Sequence, residues 1–253
     1  MGMCGRYASA RKRQDLLEEF KVDLDGTSQE LTADYNVAPT KKVYAVLTRP
    51  QVADGEKPDA GQEAVRQLRV LKWGLVPGWA KDPSIGSRLI NARVETLTEK
   101  PSYRKAFAQR RCLLPADGYY EWYRADKKTK QPYFIHPADG GVMAMAGLYE
   151  FWKDRTRADD DPLKWLVTCT VITTAAEDHL GRIHDRMPVV IHEDRWDEWL
   201  DPARTDTGEV LEMLASAPPS GLVAYPVSSE VNSVRNNGAH LIERDGSEEA
   251  SLF

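Results

Sequence analysis

The chain has 253 residues, of which 42% are hydrophobic and 29% are charged. This composition is typical of a globular protein with one large domain or two small ones, and it excludes an intrinsically disordered chain. The formal net charge of −5 argues against bulk electrostatic attraction to nucleic acid, so any DNA contact has to come from a local basic patch.

The apolar stretches are too short for a membrane protein. The longest one, 165–172, is interrupted by Thr168 and Thr170, and a transmembrane helix needs about 20 consecutive apolar residues. The first residues lack the apolar segment of a secretory signal peptide. These features predict a cytoplasmic protein that does not contact a membrane.

The cysteines do not suggest a disulfide framework. Cys4, Cys112 and Cys169 are odd in number and form no CxxC pair, so a zinc site built from cysteines is not expected either. The histidines around position 184 lack the spacing of metal ligands. We therefore predict neither a metal nor a cofactor.

The predicted elements begin with a helix over 9–22, with Ser9 as its N-cap and an apolar stripe at helical spacing. Two alternating strands follow, over 42–49 and 65–75. Enrichment in β-branched and aromatic residues predicts further strands at 112–124, 131–137, 142–152, 163–174, 187–191 and 222–228. Further helices are predicted at 102–109, 175–183, 194–200 and 207–216.

The order of these elements lacks the regular alternation of strand and helix that a doubly wound sheet requires. We therefore predict an α+β fold, with a mixed, β-barrel-like core flanked by short helices. The sequence contains no internal repeat, which favours a single domain over 1–244. Residues 245–253 are predicted to form a flexible tail.

Four segments combine reactive polar side chains with glycine or proline, and each falls at a predicted strand end or loop, where proteins commonly display functional groups. They are 4–7, 90–96, 117–122 and 183–188.

Cys4 is a candidate nucleophile close to the start of the chain. If its α-amine is free, amine and thiol lie on adjacent carbons, with pKa values of about 7.7–8.0 and 8.5. Such an aminothiol condenses with an aldehyde, because the amine forms an imine and the thiol then closes a thiazolidine ring. The alternative is a cysteine that lies near the terminus by chance.

Glu121 lies in an aromatic stretch, and strand alternation places it on one face with Tyr119 and Tyr123. A carboxyl group between aromatic rings is poorly solvated, which raises a carboxyl pKa and prepares a general acid that works near neutral pH. The alternative is a glutamate at a strand edge that pairs with an arginine.

His184 is predicted to lie in a turn between the helix at 175–183 and the strand at 187–191. From such a turn it can reach a cleft and transfer protons, although an ordinary surface histidine is the alternative. The Asn91 amide can donate and accept hydrogen bonds at once, and Arg93 shares its strand face, so this pair suggests a shelf for phosphate and substrate. A simple turn cap is the alternative for Asn91.

Six sequence segments carry a family resemblance, in order and over nearly the whole chain. They are CGRY (4–7), YNVAPT (35–40), INARVET (90–96), RRCLLPADGYYEW (110–122), TTAAEDHLGRIHDRMPVV (173–190) and VNSVRNNGAHLIE (231–243). Together they resemble the SOS response-associated peptidase (SRAP) family.

The resemblance implies a sensor of abasic sites in single-stranded DNA that forms a covalent DNA–protein crosslink through its N-terminal cysteine. Self-cleavage that exposes this cysteine and a lyase activity are further expectations, and the family fold is a mixed β-barrel-like core with short helices. We expect a monomer whose partner is single-stranded DNA with abasic sites, cytoplasmic and associated with the nucleoid when bound to DNA.

The resemblance also implies roles for individual residues. Cys4 is the nucleophile, and Asn91 holds its amine. Glu121 aids opening of the deoxyribose to its aldehyde, whereas His184 transfers protons at the imine stage and in reversal. The arginines would bind phosphates, and Pro39 and Trp79 would wedge or stack against DNA. The implied DNA-binding residues are Arg6, Asn36, Pro39, Trp79, Arg93 and Thr174.

The sequence departs from the family pattern at two places. Relatives usually begin with Met-Cys, whereas Met1-Gly2-Met3 precedes Cys4 here, so the amine of Cys4 is part of a peptide bond as written. Either translation starts at Met3, or the protein cleaves its own Met3–Cys4 bond. Trp79 is followed by Ala80, where some relatives carry a second aromatic residue.

Two other functions are consistent with the same residues. A thiol peptidase would use Cys4 as nucleophile and His184 as base, and it would need an oxyanion hole as well. A non-covalent binder of single-stranded DNA would use the arginines and aromatic rings and leave Cys4 without a role.

Overall fold

The computed structural model describes residues 5–56, 58–59, 61–124, 130–218 and 220–246. Cys4 and most of the predicted tail, 247–253, lie outside the described residues. The backbone N–H of Asp245 donates to the carbonyl oxygen of Pro226 at 2.9 Å, so the first residue of that tail is still attached to the fold.

Strands dominate the described part of the chain. They are β1 (Tyr7–Ser9), β2 (Leu24–Asp25), β3 (Asp34–Val37), β4 (Lys42–Pro50), β5 (Ala64–Trp73), β6 (Asn91–Arg93), β7 (Arg111–Ala116), β8 (Gly118–Arg124), β9 (Lys130–Pro137), β10 (Met143–Lys153), β11 (Trp165–Ala175), β12 (Arg186–Pro188) and β13 (Leu222–Pro226). The α-helices are α1 (Arg13–Glu19), α2 (Arg104–Gln109), α3 (Asp178–Gly181), α4 (Trp196–Leu200) and α5 (Thr207–Ala215). No helix of the described residues is long and apolar enough to cross a membrane.

A closed five-stranded barrel forms the centre of the fold. Its strands follow the order β11-β10-β7-β4-β5, and a parallel pairing of β5 with β11 closes the ring. Closure leaves these strands without long free edges. The predicted α+β fold with a mixed, barrel-like core and short helices is confirmed.

Both faces of the barrel strands are buried, as β4 illustrates. Val43, Ala45 and Leu47 alternate along β4 and pack in the interior cluster with Trp73, as the alternating pattern predicts. The intervening residues of β4 pack outward against a second cluster that contains side chains of α1, α2, α4 and α5. The short helices therefore cover the outside of the barrel.

A second sheet, with the order β13-β9-β8-β1-β3, packs against one end of the barrel. The chain passes from β3 to β4 and from β7 to β8 at this end, and β5 and β11 also finish there. Connections between the two sheets therefore concentrate at one end of the barrel, which positions the candidate site.

Gly74 makes the exit from β5 possible. Its φ of 122° is a backbone conformation that residues with side chains rarely adopt. A Cβ at this position would lie 2.6 Å from the carbonyl oxygen of Gly86. The chain can therefore turn from β5 into the segment that leads to β6 only with glycine here.

The first predicted helix is partly wrong. Residues 9–22 contain a shorter helix, α1, and Ser9 ends strand β1 instead of capping the helix. Tyr7 and Ala8 are fully buried between β3 and β8, so pairing with distant strands outweighs the local helical pattern.

The strand predicted over 112–124 is two strands, β7 and β8, which belong to different sheets. They separate at Asp117, whose carboxylate accepts hydrogen bonds from the backbone N–H of Ala10 at 2.6 Å and from Arg11 Nε at 2.9 Å. These bonds tie the corner between the two sheets to the beginning of the chain.

Candidate functional site

A cleft of about 750 Å³ opens beside the second sheet. It brings together three of the four segments that the sequence singled out, namely 4–7, 117–122 and 183–188. The lining residues are Gly5, Arg6, Glu121, Trp122, Tyr123, Arg124, Lys130, Arg182, Ile183, His184, Asp185 and Asn232.

Glu121 is held inside the second sheet. It lies on β8 directly opposite Tyr133 of β9, and it is only 3% exposed. The ring of Tyr123, two residues further on, meets Tyr133 edge to face at 6.5 Å between centroids. The burial predicted for Glu121 beside aromatic rings is observed, and β8 lies between β9 and β1 in the sheet.

The beginning of the chain runs antiparallel to the strand that carries Glu121. Tyr7 pairs with Tyr119, and the backbone N–H of Tyr120 donates to the carbonyl oxygen of Arg6 at 3.0 Å. Continuing this register brings Gly5 level with Glu121. Gly5 directly follows Cys4, so the chain enters the described structure beside the buried carboxyl group.

His184 lies in the predicted turn, after α3 and before β12. Its Nδ1 accepts a hydrogen bond from the backbone N–H of Arg186 at 3.1 Å, and Oδ1 of Asp185 is also 3.1 Å from Nδ1. About 20% of the His184 side chain is exposed, and it faces the cleft. The Nδ1 side of the ring is therefore held by Arg186 and Asp185 at the wall of the cleft.

Asn91 lies buried on β6 and does not line the cleft among the described residues, being 7% exposed. Its carbonyl oxygen accepts a hydrogen bond from the Tyr103 hydroxyl at 3.0 Å. Burial raises the pKa of Tyr103 to about 12, so this hydroxyl stays protonated and continues to donate at neutral pH.

An ion pair connects the Asn91 segment to the His184 segment. Arg186 Nη1 and Nη2 donate to the Glu95 carboxylate at 2.5 and 3.0 Å, and Nη2 also donates to the Thr173 carbonyl oxygen at 2.7 Å. This contact lowers the pKa of Glu95, because the guanidinium stabilises the carboxylate. Arg186 thereby joins both segments to β11, which pairs with β6 and β12 at this end.

Arg93 and Thr174 lie close together outside the cleft. Arg93 is exposed and pairs with Thr173 of β11, the neighbour of Thr174. Thr174 lines a second, largely apolar cleft of about 450 Å³, which residues of β11 and β12 also line. Arg93 therefore presents a cation near the site, without a direct place in the cleft wall.

Asn36 is fully buried, so the DNA contact expected of it stays a prediction. It is 0% exposed, and its side-chain oxygen accepts a hydrogen bond from Arg6 Nη1 at 2.7 Å. A fully buried side chain cannot reach a ligand without rearrangement of its surroundings, so Asn36 lies behind the cleft wall.

Pro39 and Trp79 occupy turns outside the cleft. Pro39 precedes Thr40, whose N–H donates to the carbonyl oxygen of Trp73 at the end of β5. Trp79 is 59% exposed, and the carbonyl oxygen of its neighbour Ala80 accepts from Trp152 Nε1 near the end of β10. The DNA contacts expected of both residues stay predictions, and the structure does not bring either side chain to Glu121.

The sequence analysis missed several cleft residues. Arg124 and Lys130 lie on either side of the connection between β8 and β9, and Arg182 stands two residues before His184. Arg124 directly follows Trp122 and Tyr123 in the sequence, and a basic residue beside aromatic ones was a usable signal for a nucleic-acid surface. Together with Arg6, these basic residues form a local basic patch on a chain whose net charge is negative.

The fold agrees with comparisons to known proteins. The sequence matches the model of the SOS response associated peptidase (SRAP) family over residues 3–234, so the chain belongs to this family.

Among its relatives, the abasic site processing protein YoqW of Bacillus subtilis is 41% identical over 241 residues, which covers 95% of this chain and 99% of the relative. The abasic site processing protein YedK of Escherichia coli is 32% identical over 246 residues, with coverage of 95% and 99%. A solved structure of a protein from Bacteroides thetaiotaomicron has a TM-score of 0.78 at 22% identity, covering 96% of this chain and 100% of that protein, which supports the fold.

Proposed function

We propose that this protein recognises abasic sites in single-stranded DNA and links itself covalently to them through Cys4. The observation that carries the proposal is the cleft in which Gly5, Glu121 and His184 meet beside a basic patch. Relatives that cover nearly the whole chain are named abasic site processing proteins, which supports the substrate class.

The proposed reaction is a condensation with the open-chain sugar of an abasic site, which carries an aldehyde at C1′. The α-amine of Cys4 attacks this carbon, and loss of one water gives an imine. The thiol then adds to the imine carbon and transfers its proton to the nitrogen, which closes a thiazolidine. The net change is the loss of one water molecule, with no oxidant or reductant.

The other two cysteines are unsuited to this reaction. Cys112 and Cys169 are both 0% exposed, in the interior of the barrel. Burial raises the pKa of both thiols, so neither is ready to form a thiolate. Their burial supports the assignment of the reaction to Cys4.

Glu121 and His184 would supply the proton transfers. In our proposal the Glu121 carboxyl protonates the ring oxygen of the closed sugar as it opens to the aldehyde, and its poorly hydrated position suits this role. His184 would donate a proton as the imine forms and during its reversal. Asn91 would hold the Cys4 amine, and its buried position on β6 supports a fixed geometry.

The basic patch would bind the DNA backbone around the lesion. Arg6, Arg124, Lys130 and Arg182 line the cleft, and Arg93 is exposed nearby. Phosphates are attracted to such cations irrespective of base sequence, which suits a protein that responds to a missing base.

The proposed chemistry needs a free amine at Cys4. An amide nitrogen is a poor nucleophile because its lone pair is delocalised into the carbonyl group. We therefore propose that the Met3–Cys4 bond is hydrolysed before crosslinking when the residues before Cys4 are present, with Glu121 and His184 moving the protons. One water is consumed, and the Met-Gly-Met peptide leaves.

Incubation with single-stranded DNA that contains one abasic site, followed by a denaturing gel, tests the proposal. We expect a slow-migrating adduct with abasic DNA, none with undamaged DNA of the same sequence, and none with Cys4→Ala. A non-covalent binder would give no adduct, and a thiol peptidase would instead cleave an added protein substrate. Shortened DNA on the same gel would reveal lyase activity.

A further inference from the structure

Asn36 uses its whole side-chain amide in contacts with two separate parts of the chain. Oδ1 accepts from Arg6 Nη1 at 2.7 Å. Nδ2 lies 3.2, 2.9 and 3.1 Å from the carbonyl oxygens of Val231, Ser233 and Asn236, to which it donates. A buried amide with such contacts is a rigid junction, because leaving any of these polar atoms unpaired is costly.

The first branch of this junction fixes Arg6. Nη1 of Arg6 donates to Asn36 Oδ1 and also to the carbonyl oxygen of Val231 at 2.8 Å, which uses both Nη1 hydrogens. The guanidinium carbon lies 6.0 Å from the centroid of the Trp122 ring, within cation–π range. Partial burial lowers the pKa of Arg6. Arg6 is thus a fixed part of the cleft wall, two residues after Cys4.

The second branch fixes residues 231–237, which we call the 231–237 loop. Within it, Asn232 lines the cleft, and its Oδ1 accepts from Trp122 Nε1 at 2.6 Å. Trp122 directly follows Glu121. The amide of Asn36 therefore connects the segment after Cys4, through the loop, to the residue that follows the buried carboxyl group.

We propose that Asn36 is a positioning residue and that it does not bind DNA. Through Arg6 and the 231–237 loop, it sets the distance between Glu121 and the residues that directly follow Cys4. This inference rests on the proposed function. It predicts a slower crosslinking reaction within the protein–DNA complex, because small displacements of reacting groups slow a reaction strongly. The contacts to the backbone phosphates should stay intact.

Two substitutions separate the branches. Asn36→Asp keeps an acceptor for Arg6 but turns a carboxylate toward three carbonyl oxygens, so it should release the 231–237 loop alone. Asn36→Ala removes both branches. We expect the crosslinking rate at saturating abasic DNA to fall roughly 10- to 100-fold in Asn36→Ala and by less in Asn36→Asp. The affinity for undamaged single-stranded DNA should stay unchanged.

Asn237→Ala is a matched control, because Asn237 also ties the loop to β3. Its Oδ1 accepts from the Tyr35 N–H at 2.8 Å, and its Nδ2 donates to the Ala33 carbonyl oxygen at 3.1 Å, without contact to Arg6. Because Asn237 is exposed and its removal leaves Arg6 bound to Asn36, this control should lose less stability than the Asn36 variants, and its crosslinking rate should fall no further than that of Asn36→Asp. Hydrogen exchange of residues 5–9, measured without DNA, should accelerate in Asn36→Ala only.

Three outcomes distinguish the possibilities. A lower saturating rate with unchanged DNA affinity and faster exchange at 5–9 supports the inference. Weaker DNA binding with an unchanged saturating rate overturns it and leaves the proposed function intact. If the wild-type protein forms no adduct with abasic DNA, the proposed function fails, and the role assigned to Asn36 in that reaction fails with it.

Discussion

The backbone N–H of Arg186 donates a hydrogen bond to Nδ1 of His184 across 3.1 Å. Oδ1 of Asp185 also lies 3.1 Å from this nitrogen. The N–H of Arg186 favours a neutral ring with its proton on Nε2, whereas the Asp185 carboxylate favours a ring that carries a proton on Nδ1. A ring with stabilising contacts in both states suits the uptake and release of a proton at the cleft that it lines.

Replacing His184 by alanine should slow reversal of the crosslink more than its formation. We expect a loss of about 10²-fold in reversal, the usual cost of removing a general acid or base. Reversal is measured by chasing a preformed, labelled adduct with excess unlabelled abasic DNA. His179→Ala is the control, because His179 does not line the cleft. Equal losses in formation and reversal would contradict the role.

Substituting Glu121 by glutamine keeps the shape of the buried side chain but removes its acid function. We expect adduct formation to slow by about 10²-fold, with DNA affinity unchanged. Single-turnover rates on abasic DNA measure the change. Glu209→Gln, on the exposed side of α5, is the matched control. A wild-type rate in Glu121→Gln would reduce this residue to a structural role.

The basic patch should be visible in the salt dependence of DNA binding. Arg93→Ala and Arg124→Ala should each reduce the slope of log Kd against log salt by about 0.7 on single-stranded DNA, independent of base sequence. Fluorescence anisotropy with undamaged oligonucleotides at several salt concentrations measures this slope. Arg155→Ala removes an exposed arginine outside the cleft and should leave it unchanged. A change in base preference at constant slope would place these arginines on bases.

Gly74→Ala should destabilise the fold by about 1–3 kcal/mol from backbone strain alone, with an additional cost from the contact with the Gly86 carbonyl oxygen. Thermal unfolding measures the loss. Gly140→Ala is the matched control, since Gly140 also has a positive φ but nothing lies within 4 Å of its added Cβ. Equal losses in both variants would show that strain, not crowding, decides the cost at Gly74.

His136 should make stability depend on pH. Its ring stacks on Phe134 at 5.6 Å between centroids, and burial lowers its pKa. Between that lowered pKa and the ordinary value of about 6.5, the unfolded chain binds more protons than the folded one, so stability falls as the pH decreases through this range. Thermal unfolding from about pH 7.5 to 5.5 should show a smaller loss in His136→Gln than in wild type. An equal loss would assign the effect to other groups.

The local patterns predicted much of the barrel, because alternation along strands such as β4 reports burial directly. The residue at which the first helix starts could not be predicted from local sequence. The segment Tyr7–Ser9 forms a strand because it pairs with β3 and β8. Local spacing carries no information about such distant partners.

Three of the four segments singled out in the sequence meet at one cleft, but the resemblance did not predict the exposure of each side chain. The resemblance implied a DNA contact for Asn36. Its partners are Arg6 and the 231–237 loop, which lies about 200 residues away in sequence, so only the fold reveals its burial. Arg124 and Lys130 were missed because they lie outside the motifs, and Arg182 was missed although it lies inside one of them.

The most direct test of the central claim is mass spectrometry that identifies which residue carries the DNA and gives the mass of the adduct. Protein with an intact Met-Gly-Met leader is incubated with abasic single-stranded DNA, and the adduct is digested and mapped by mass spectrometry. We predict a DNA remnant on an N-terminal Cys4 with the loss of one water, and no adduct in Cys4→Ala, whereas Cys112→Ala and Cys169→Ala crosslink normally. An adduct through Cys4 with the leader still attached, or one that persists in Cys4→Ala, would contradict the aminothiol mechanism.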